Sequence, residues 1–233
     1  MNNGHIPFYY ISNNLLLDPE DAFHFIRVMR GKEGDPLEVS DGKGRRWSVW
    51  AGKLLKKEVR LEISRELEPE SPPRISIASA VPKGQRASYL IEKSVEMGIS
   101  DLFFIGMKYS SVKDLTPGML RRFEAVARSA AMQARHAWIP RLHPLMPLEK
   151  FLEDRPHTAV LEKEGTRDAW NRLSSFEDWC LMIGPEGGWA PEEIALFKQK
   201  DLPLLPLTDH PLRMETAAVA GLAFYNFAIQ RIS

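Results

Sequence analysis

Between residues 6 and 65, apolar positions come in short runs separated by turn-forming residues. Ile6 to Ile11, Pro36 to Ser40, Arg46 to Trp50 and Val59 to Ile63 read as strands, with Asp41-Gly42-Lys43-Gly44 a hairpin turn by composition. Between the first two, Pro19 to Arg30 places Phe23 and Ile26 on one helical face, and Pro19 suits a first helical turn. A small β-rich domain over residues 1–67 follows. The segment from Glu66 to Pro73 carries three prolines in eight residues and no apolar period, which reads as a linker.

Beyond it the period changes. Ile75 to Val81 and Leu102 to Ile105 are unbroken apolar runs, and Arg86 to Met97, closed by Gly98, separates them as a helix. Pro117 to Ala134 predicts a longer helix with Leu120, Phe123, Val126, Ala127 and Ala130 on one side. Further strands are expected at Thr158 to Leu161, Trp179 to Ile183 and Leu204 to Leu207, with helices from Pro191 to Lys200 and from Thr216 onward. Apolar strands alternating with helices predict an α/β domain over residues 73–233, built on a parallel sheet covered on both faces.

Charge and cysteine content narrow the picture. Lys plus Arg and Asp plus Glu number 31 each, but residues 27–60 and 83–141 each hold ten basic against five acidic, and residues 149–233 hold nine against fourteen. A neutral chain divided in this way is compatible with a polyanion held by one side of the molecule. The single cysteine, Cys180, cannot form an intrachain disulfide, and the histidines have no partners at zinc-ligand spacing. A reducing, cytoplasmic setting and no metal are expected. The most apolar stretch, Ala217 to Ile229, is too short for a membrane span, and the N-terminus lacks the form of a signal peptide.

Four segments carry candidate chemistry. In Leu181-Met-Ile-Gly-Pro-Glu-Gly-Gly-Trp189 an apolar strand enters a glycine-rich loop and then a helix beginning Pro191-Glu192-Glu193. Such a loop is either a tight turn or a cradle for a cofactor at the carboxyl end of a parallel strand. Glu186, Glu192 and Glu193 favour a neutral or cationic ligand over a phosphate. Leu212-Arg213-Met214-Glu215-Thr216 precedes the last helix: Thr216 and Glu215 suit a helix start, whereas Arg213, at the same sheet edge as the glycine loop, suits a carboxylate or phosphate. Lys83 and Arg86 frame a helix start that suits RNA phosphates, while Lys93 and Glu96 can form a surface pair. Arg135 ends the long helix, where the helix dipole alone favours a cation.

Together these segments resemble the RsmE family, the 16S rRNA uracil-N3 methyltransferases of the SPOUT superfamily. The matching blocks are Lys83-Gly84 through Glu92-Lys93-Ser94-Val95-Glu96-Met97-Gly98; Gln133-Ala134-Arg135 with Ile139-Pro140; Ile183-Gly-Pro-Glu-Gly-Gly188 with Glu193-Ile194; and Leu212-Arg213-Met214-Glu215-Thr216-Ala217. His24 to Arg30, with Gly34-Asp35 and Asp41-Gly42, resembles the family's N-terminal domain. The chain departs from the family pattern at Met132, at Met107-Lys108-Tyr109-Ser110, and at Met214.

The resemblance implies a PUA-like β-barrel followed by a SPOUT methyltransferase domain with a C-terminal deep trefoil knot. It implies S-adenosylmethionine (SAM) held by Leu161, Ile183, Gly184, Pro185, Glu186, Gly187, Gly188, Leu204, Leu205, Leu207, Leu212, Met214 and Glu215. Arg213 is the expected stabiliser of charge on the uracil or its phosphate, and Glu215 the expected base or orienting group. RNA contacts are expected from Arg27, Arg30, Lys43, Arg45, Arg46, Lys83, Arg86 and Arg135. The implied partners are 16S rRNA or the small ribosomal subunit and a second copy of the chain. A ribose 2′-O-methyltransferase and a non-catalytic RNA-binding protein are the competing readings, separated by mapping the modified atom and by titrating SAM.

Overall fold

The computed structural model describes residues 6–11, 15–55, 58–155, 157–173 and 178–230. The chain folds as two compact units, residues 1–72 with 131–139, and residues 73–130 with 140–233. The second piece of the first unit had no visible signal in the hydrophobic pattern.

The first unit is a four-stranded sheet in the order β1 (Phe8–Tyr10), β2 (Pro36–Ser40), β3 (Arg46–Leu55), β4 (Glu58–Leu67). β1 pairs parallel to β2, and the other two pairings are antiparallel. Bridges from Ile11 to Leu17 and from Leu16 to Arg60 connect the two edge strands through residues 15–17, so the sheet closes on itself as a small barrel. Tyr9, Phe25, Leu37, Val39, Val49 and Val59 fill its core. The hairpin between β2 and β3 lies where its composition predicts: Asp41 Oδ1 accepts from the Lys43 and Arg45 N–H groups (2.8 and 3.2 Å), and Gly42 and Gly44 take positive φ. β3 and β4 run longer than the apolar runs that signal them, because their outer ends extend into solvent, where the ladder continues without an apolar face. The expected helix also differs. α1 (Pro19–Phe23) widens into a π-helical turn over His24–Val28, with the Met29 N–H reaching back to the His24 carbonyl.

Residues 131–139 complete this unit through hydrogen bonds. Ser40 Oγ donates to the Ala137 carbonyl (2.8 Å), the Ile139 N–H to Gly42 O (3.0 Å), and the Ala137 N–H to Glu70 Oε2 (2.9 Å). Arg135 binds the Ile6 carbonyl (2.6 Å) and Glu38 (2.7 Å).

The second unit is a six-stranded, wholly parallel sheet in the order β10-β8-β9-β5-β6-β7. Its strands are β5 (Ile75–Ser79), β6 (Asp101–Gly106), β7 (Arg141–Pro147), β8 (Thr158–Leu161), β9 (Trp179–Ile183) and β10 (Leu204–Leu205). Every residue of β5, β8 and β9 is buried, as expected of central strands covered on both faces. The helices are α2 (Gln85–Glu96), α3 (Pro117–Gln133), α4 (Leu148–Asp154), α5 (Pro191–Gln199) and α6 (Met214–Gln230). α6 packs against α2 and over β5 and β9, and Gly221 permits this, since a Cβ there would lie 2.9 Å from Leu161 Cδ1. β7, α4 and the 3₁₀ turn Arg167–Arg172 are additions to the sequence reading, and α6 begins at Met214 instead of Thr216. The Ala217 N–H bonds to the Arg213 carbonyl (2.8 Å), so Arg213, not Thr216, sits at the cap. Among the described residues no helix is long and apolar enough to cross a membrane, and no group of three or more His, Cys, Asp or Glu could hold a metal.

Asp101 anchors the start of β6. Its buried carboxylate accepts from His143 Nε2 (2.7 Å) and from Arg141 Nε (3.0 Å). Burial alone would raise its pKa, but hydrogen bonds from His143, Ser100 and Arg141 outweigh it and hold the carboxyl below its ordinary value. A depressed folded pKa gives stability that is present above the unfolded value and lost as the pH falls through the folded one. Asp101→Asn should therefore cost about 1.5–3 kcal/mol at pH 7. Denaturant titrations across pH should bring the two proteins together once the pH is well below 3.8.

Candidate functional site

Because all six strands run the same way, their following loops leave from one edge of the sheet. Three of these loops, after the adjacent strands β9, β8 and β10, enclose a cavity of about 370 Å³. Residues 161–163 supply one wall, 183–189 another, and residues between 205 and 212 the third, with Met214 and Ala217 of α6 beneath. Leu161, Ile183, Leu205, Met214 and Ala217 are buried and form an apolar floor, while Glu186, His210 and Leu212 are exposed at the mouth. An apolar floor with a polar rim and exposed backbone suits a flat heterocycle carrying a polar chain.

The glycine loop owes its shape to particular contacts. Gly188 has φ +75°, and no atom lies within 4 Å of where its Cβ would stand, which leaves this stretch of backbone open. Gly184 lies under Trp189, whose indole Nε1 donates to the Leu161 carbonyl (3.3 Å) and ties two walls together. Gly187 is required for a different reason: a Cβ there would lie 2.8 Å from Tyr109 Cβ, so its smallness admits the loop after β6. The buried Glu193 locks that arrangement. One carboxylate oxygen accepts from the Ala190 N–H at the start of α5 and the other from the Lys108 N–H, both at 2.8 Å. Glu192 pairs with Lys108 Nζ, which keeps both acids of the first turn of α5 turned to this task. The negative charge that the sequence places near the cavity thus reduces mainly to Glu186, which faces Arg86 at 3.9 Å, and Glu162.

Of the thirteen residues expected to hold a cofactor, eleven line the cavity; Leu204 and Glu215 do not. Leu204 precedes the lining Leu205 on β10 and so points away by strand alternation. Glu215 is half-buried in the first turn of α6. Arg213 is exposed, its guanidinium makes no hydrogen bond or ion pair among the described residues, and it is flanked by Leu212 and Met214, which both line the cavity. Trp189, Glu162, Lys163, Thr208, His210, Pro211 and Ala217 also line it and were not foreseen. Trp189 directly follows the glycine signature, and Glu162 and Lys163 directly follow a strand in the same layer, so position along the chain was the available signal.

The expected RNA contacts divide into free and engaged cations. Arg27, Arg30 and Lys43 are exposed in the first unit, and their side-chain cations lack partners among the described residues. Arg45 pairs with Glu66 and covers Trp47, while Arg46 shares Glu38 with Arg135. Arg135 is thus committed to binding residues 131–139 into their unit. In the second unit Lys83 is exposed at the start of α2, and Arg86 reaches toward Glu186. Lys93 bonds Glu92 and Glu96, both at 2.8 Å, forming the surface pair.

Comparison with known proteins gives consistent results. Residues 69–226 match the RNA methyltransferase domain family, and residues 17–49 match the RNA methyltransferase PUA domain. The chain is 29% identical over 221 residues to ribosomal RNA small subunit methyltransferase E of Mycobacterium bovis, covering 89% of this chain and 84% of the relative. It is 26% identical over 227 residues to the Bacillus subtilis enzyme of the same name, with 89% and 88% covered. Among solved structures, ribosomal RNA small subunit methyltransferase E of Neisseria gonorrhoeae, bound to SAM, superposes with a TM-score of 0.85 at 23% identity over 97% of this chain and 98% of that one. A Legionella pneumophila methyltransferase solved in complex with SAM also gives 0.85, at 26% identity over 96% and 98%.

Glu193 offers a direct test of how the cavity wall is held. Glu193→Gln keeps one acceptor but turns an amide NH₂ toward a backbone N–H, so about 1.5–3 kcal/mol of stability should be lost. A lower denaturant midpoint is the expected observation, and an unchanged one removes the carboxylate from this role.

Proposed function

The chain belongs to the RNA methyltransferase family, and from that membership and the cavity's construction we propose that it transfers a methyl group from SAM to N3 of a uridine in 16S rRNA. The observation that carries this reading is the cavity itself, walled by the same two blocks, Ile183 to Gly188 and Leu212 to Ala217, on which the sequence resemblance rests. Its fit to SAM rests on the open backbone at Gly188, the apolar floor for an adenine, and a rim whose Glu186 tolerates a positively charged ligand. When bound, SAM supplies the electrophilic methyl group. The path of α6, back over β9 and β5 from the loop that follows the edge strand β10, supports the threaded C-terminus that the resemblance implies.

Uracil N3 is an imide nitrogen that becomes nucleophilic only on losing its proton, so the protein must favour the anion and align it. Arg213, exposed beside the mouth, is free to bind a uracil carbonyl oxygen on which negative charge develops, or the adjoining phosphate. Glu215 lies in the first turn of α6, off the cavity wall, where it orients the helix start or receives the proton through an intervening group. N3 lies on the pairing edge, so the uridine must be unpaired or turned out of its helix. The exposed Phe224 and Phe227 of α6 give the chain an apolar surface on which a homodimer could form. A ribosomal RNA substrate implies a cytoplasmic site of action.

Nucleoside mapping of small-subunit RNA after incubation with protein and SAM tests the reading: methyl on uracil N3 is expected, and methyl on a ribose overturns it. Arg213→Ala should leave SAM affinity and melting temperature nearly intact while slowing single-turnover transfer about 10²-fold. Arg213→Lys should recover little, since a point charge does not replace a planar fork; normal turnover in the alanine variant removes the role. For RNA binding, alanine at Arg27, Arg30 and Lys43 together should reduce the slope of log affinity against log salt by about two to three. An unchanged slope takes these residues off the RNA surface.

A further inference from the structure

Tyr109 combines two properties that seldom occur together. It is 45% exposed, in the loop that follows β6. Yet the backbone around it is held by five hydrogen bonds. The Met107 N–H donates to Ser110 Oγ (3.2 Å), the Ser110 N–H to the Met107 carbonyl (3.1 Å), and the Lys108 N–H to the buried Glu193 (2.8 Å). Lys113 Nζ then closes over the carbonyls of Met107 (3.3 Å) and Lys108 (2.8 Å). An exposed aromatic on a loop would ordinarily wander; this one has a fixed mount.

The mount stands against the cavity. A Cβ on Gly187 would lie 2.8 Å from Tyr109 Cβ and 3.5 Å from its Cγ, so the ring is rooted on the glycine wall, and Gly187 itself lines the cavity. Among the described residues its ring stacks on no other aromatic. A side chain held for packing alone would be covered, and one needed only for solubility would not require a glycine to make room for its root.

A nucleotide turned out of its helix loses the stacking of its neighbours, and enzymes acting on bases commonly replace it with an aromatic face. Near-attack geometry requires the accepting nitrogen within about 3–3.5 Å of the methyl carbon, which puts the acceptor base at the mouth of this cavity. We propose that Tyr109 is the stacking platform for the uracil base presented to the cavity. The proposal rests on the methyl-transfer reading above and adds a base-binding residue at a position where the chain departs from the pattern of the family it resembles.

The test compares Tyr109→Phe and Tyr109→Leu with the unaltered protein. The leucine keeps Cβ and Cγ against Gly187 but removes the ring; the phenylalanine removes only the hydroxyl. Methyl transfer to small-subunit RNA, SAM titration by calorimetry and melting curves are the three readouts. Expected are a fall in kcat/KM of about tenfold or more for the leucine variant, appearing mainly in KM for RNA, and a change within about twofold for phenylalanine. SAM affinity and melting temperature should be the same in all three. The proposal is overturned if the leucine variant keeps its kcat/KM, if phenylalanine is as impaired as leucine, or if SAM affinity and melting temperature fall together with transfer. Failure of the unaltered protein to methylate small-subunit RNA while still binding SAM is a different result: it removes the function on which this inference rests.

Discussion

Parallel pairing is the constraint from which the site follows. A parallel strand cannot turn directly into its neighbour, so each must leave the sheet at its carboxyl end, cross over, and return at the other end. Polar backbone that the ladder does not use is therefore gathered at one edge, and a depression arises where loops of adjacent strands part. Here β8, β9 and β10 are the adjacent strands, and their loops wall the cavity. The rest of the second unit serves that edge. The buried Glu193 holds two loops to one carboxylate, Trp189 ties the glycine loop to the β8 wall, and Gly221 lets α6 lie close enough to form the floor.

How much of this was legible depended on what each element had to satisfy. β8 and β9 lie at the residues their apolar runs mark, because a strand covered on both faces has no choice of composition. β7 was not legible. Its sequence, Arg141-Leu-His-Pro-Leu-Met-Pro147, contains two prolines and mixed polarity, which only the edge of a sheet tolerates, and an edge strand carries no strong pattern. α6 begins two residues before the expected start at Thr216 because Met214 is buried in its first turn as part of the cavity floor. That is a requirement of the site, not of helical periodicity. The candidate site was legible as chemistry more than as geometry. The glycine signature marked one wall, but Glu192 and Glu193 looked like negative charge offered to a ligand. Structure turns Glu193 inward to backbone N–H groups and Glu192 toward Lys108. A sequence gives the sign of a charge but not its direction.

Residues 131–139 carry a consequence for how the chain acquires its shape. The first unit takes its last hydrogen bonds, to Ser40, Gly42 and Glu70, from a stretch more than sixty residues beyond the end of β4. During synthesis, when domains generally fold from the N-terminus as they emerge, the barrel must wait for β5, α2, β6 and α3 before its Ser40 hydroxyl and Glu70 carboxylate meet their partners. The proline-rich linker is thus a boundary in composition but not in folding. A fragment cut there would carry all four strands and still leave the Ser40 hydroxyl, buried in the whole chain, without its acceptor. What looks from the sequence like two domains in series is a small domain finished by the polypeptide of the large one.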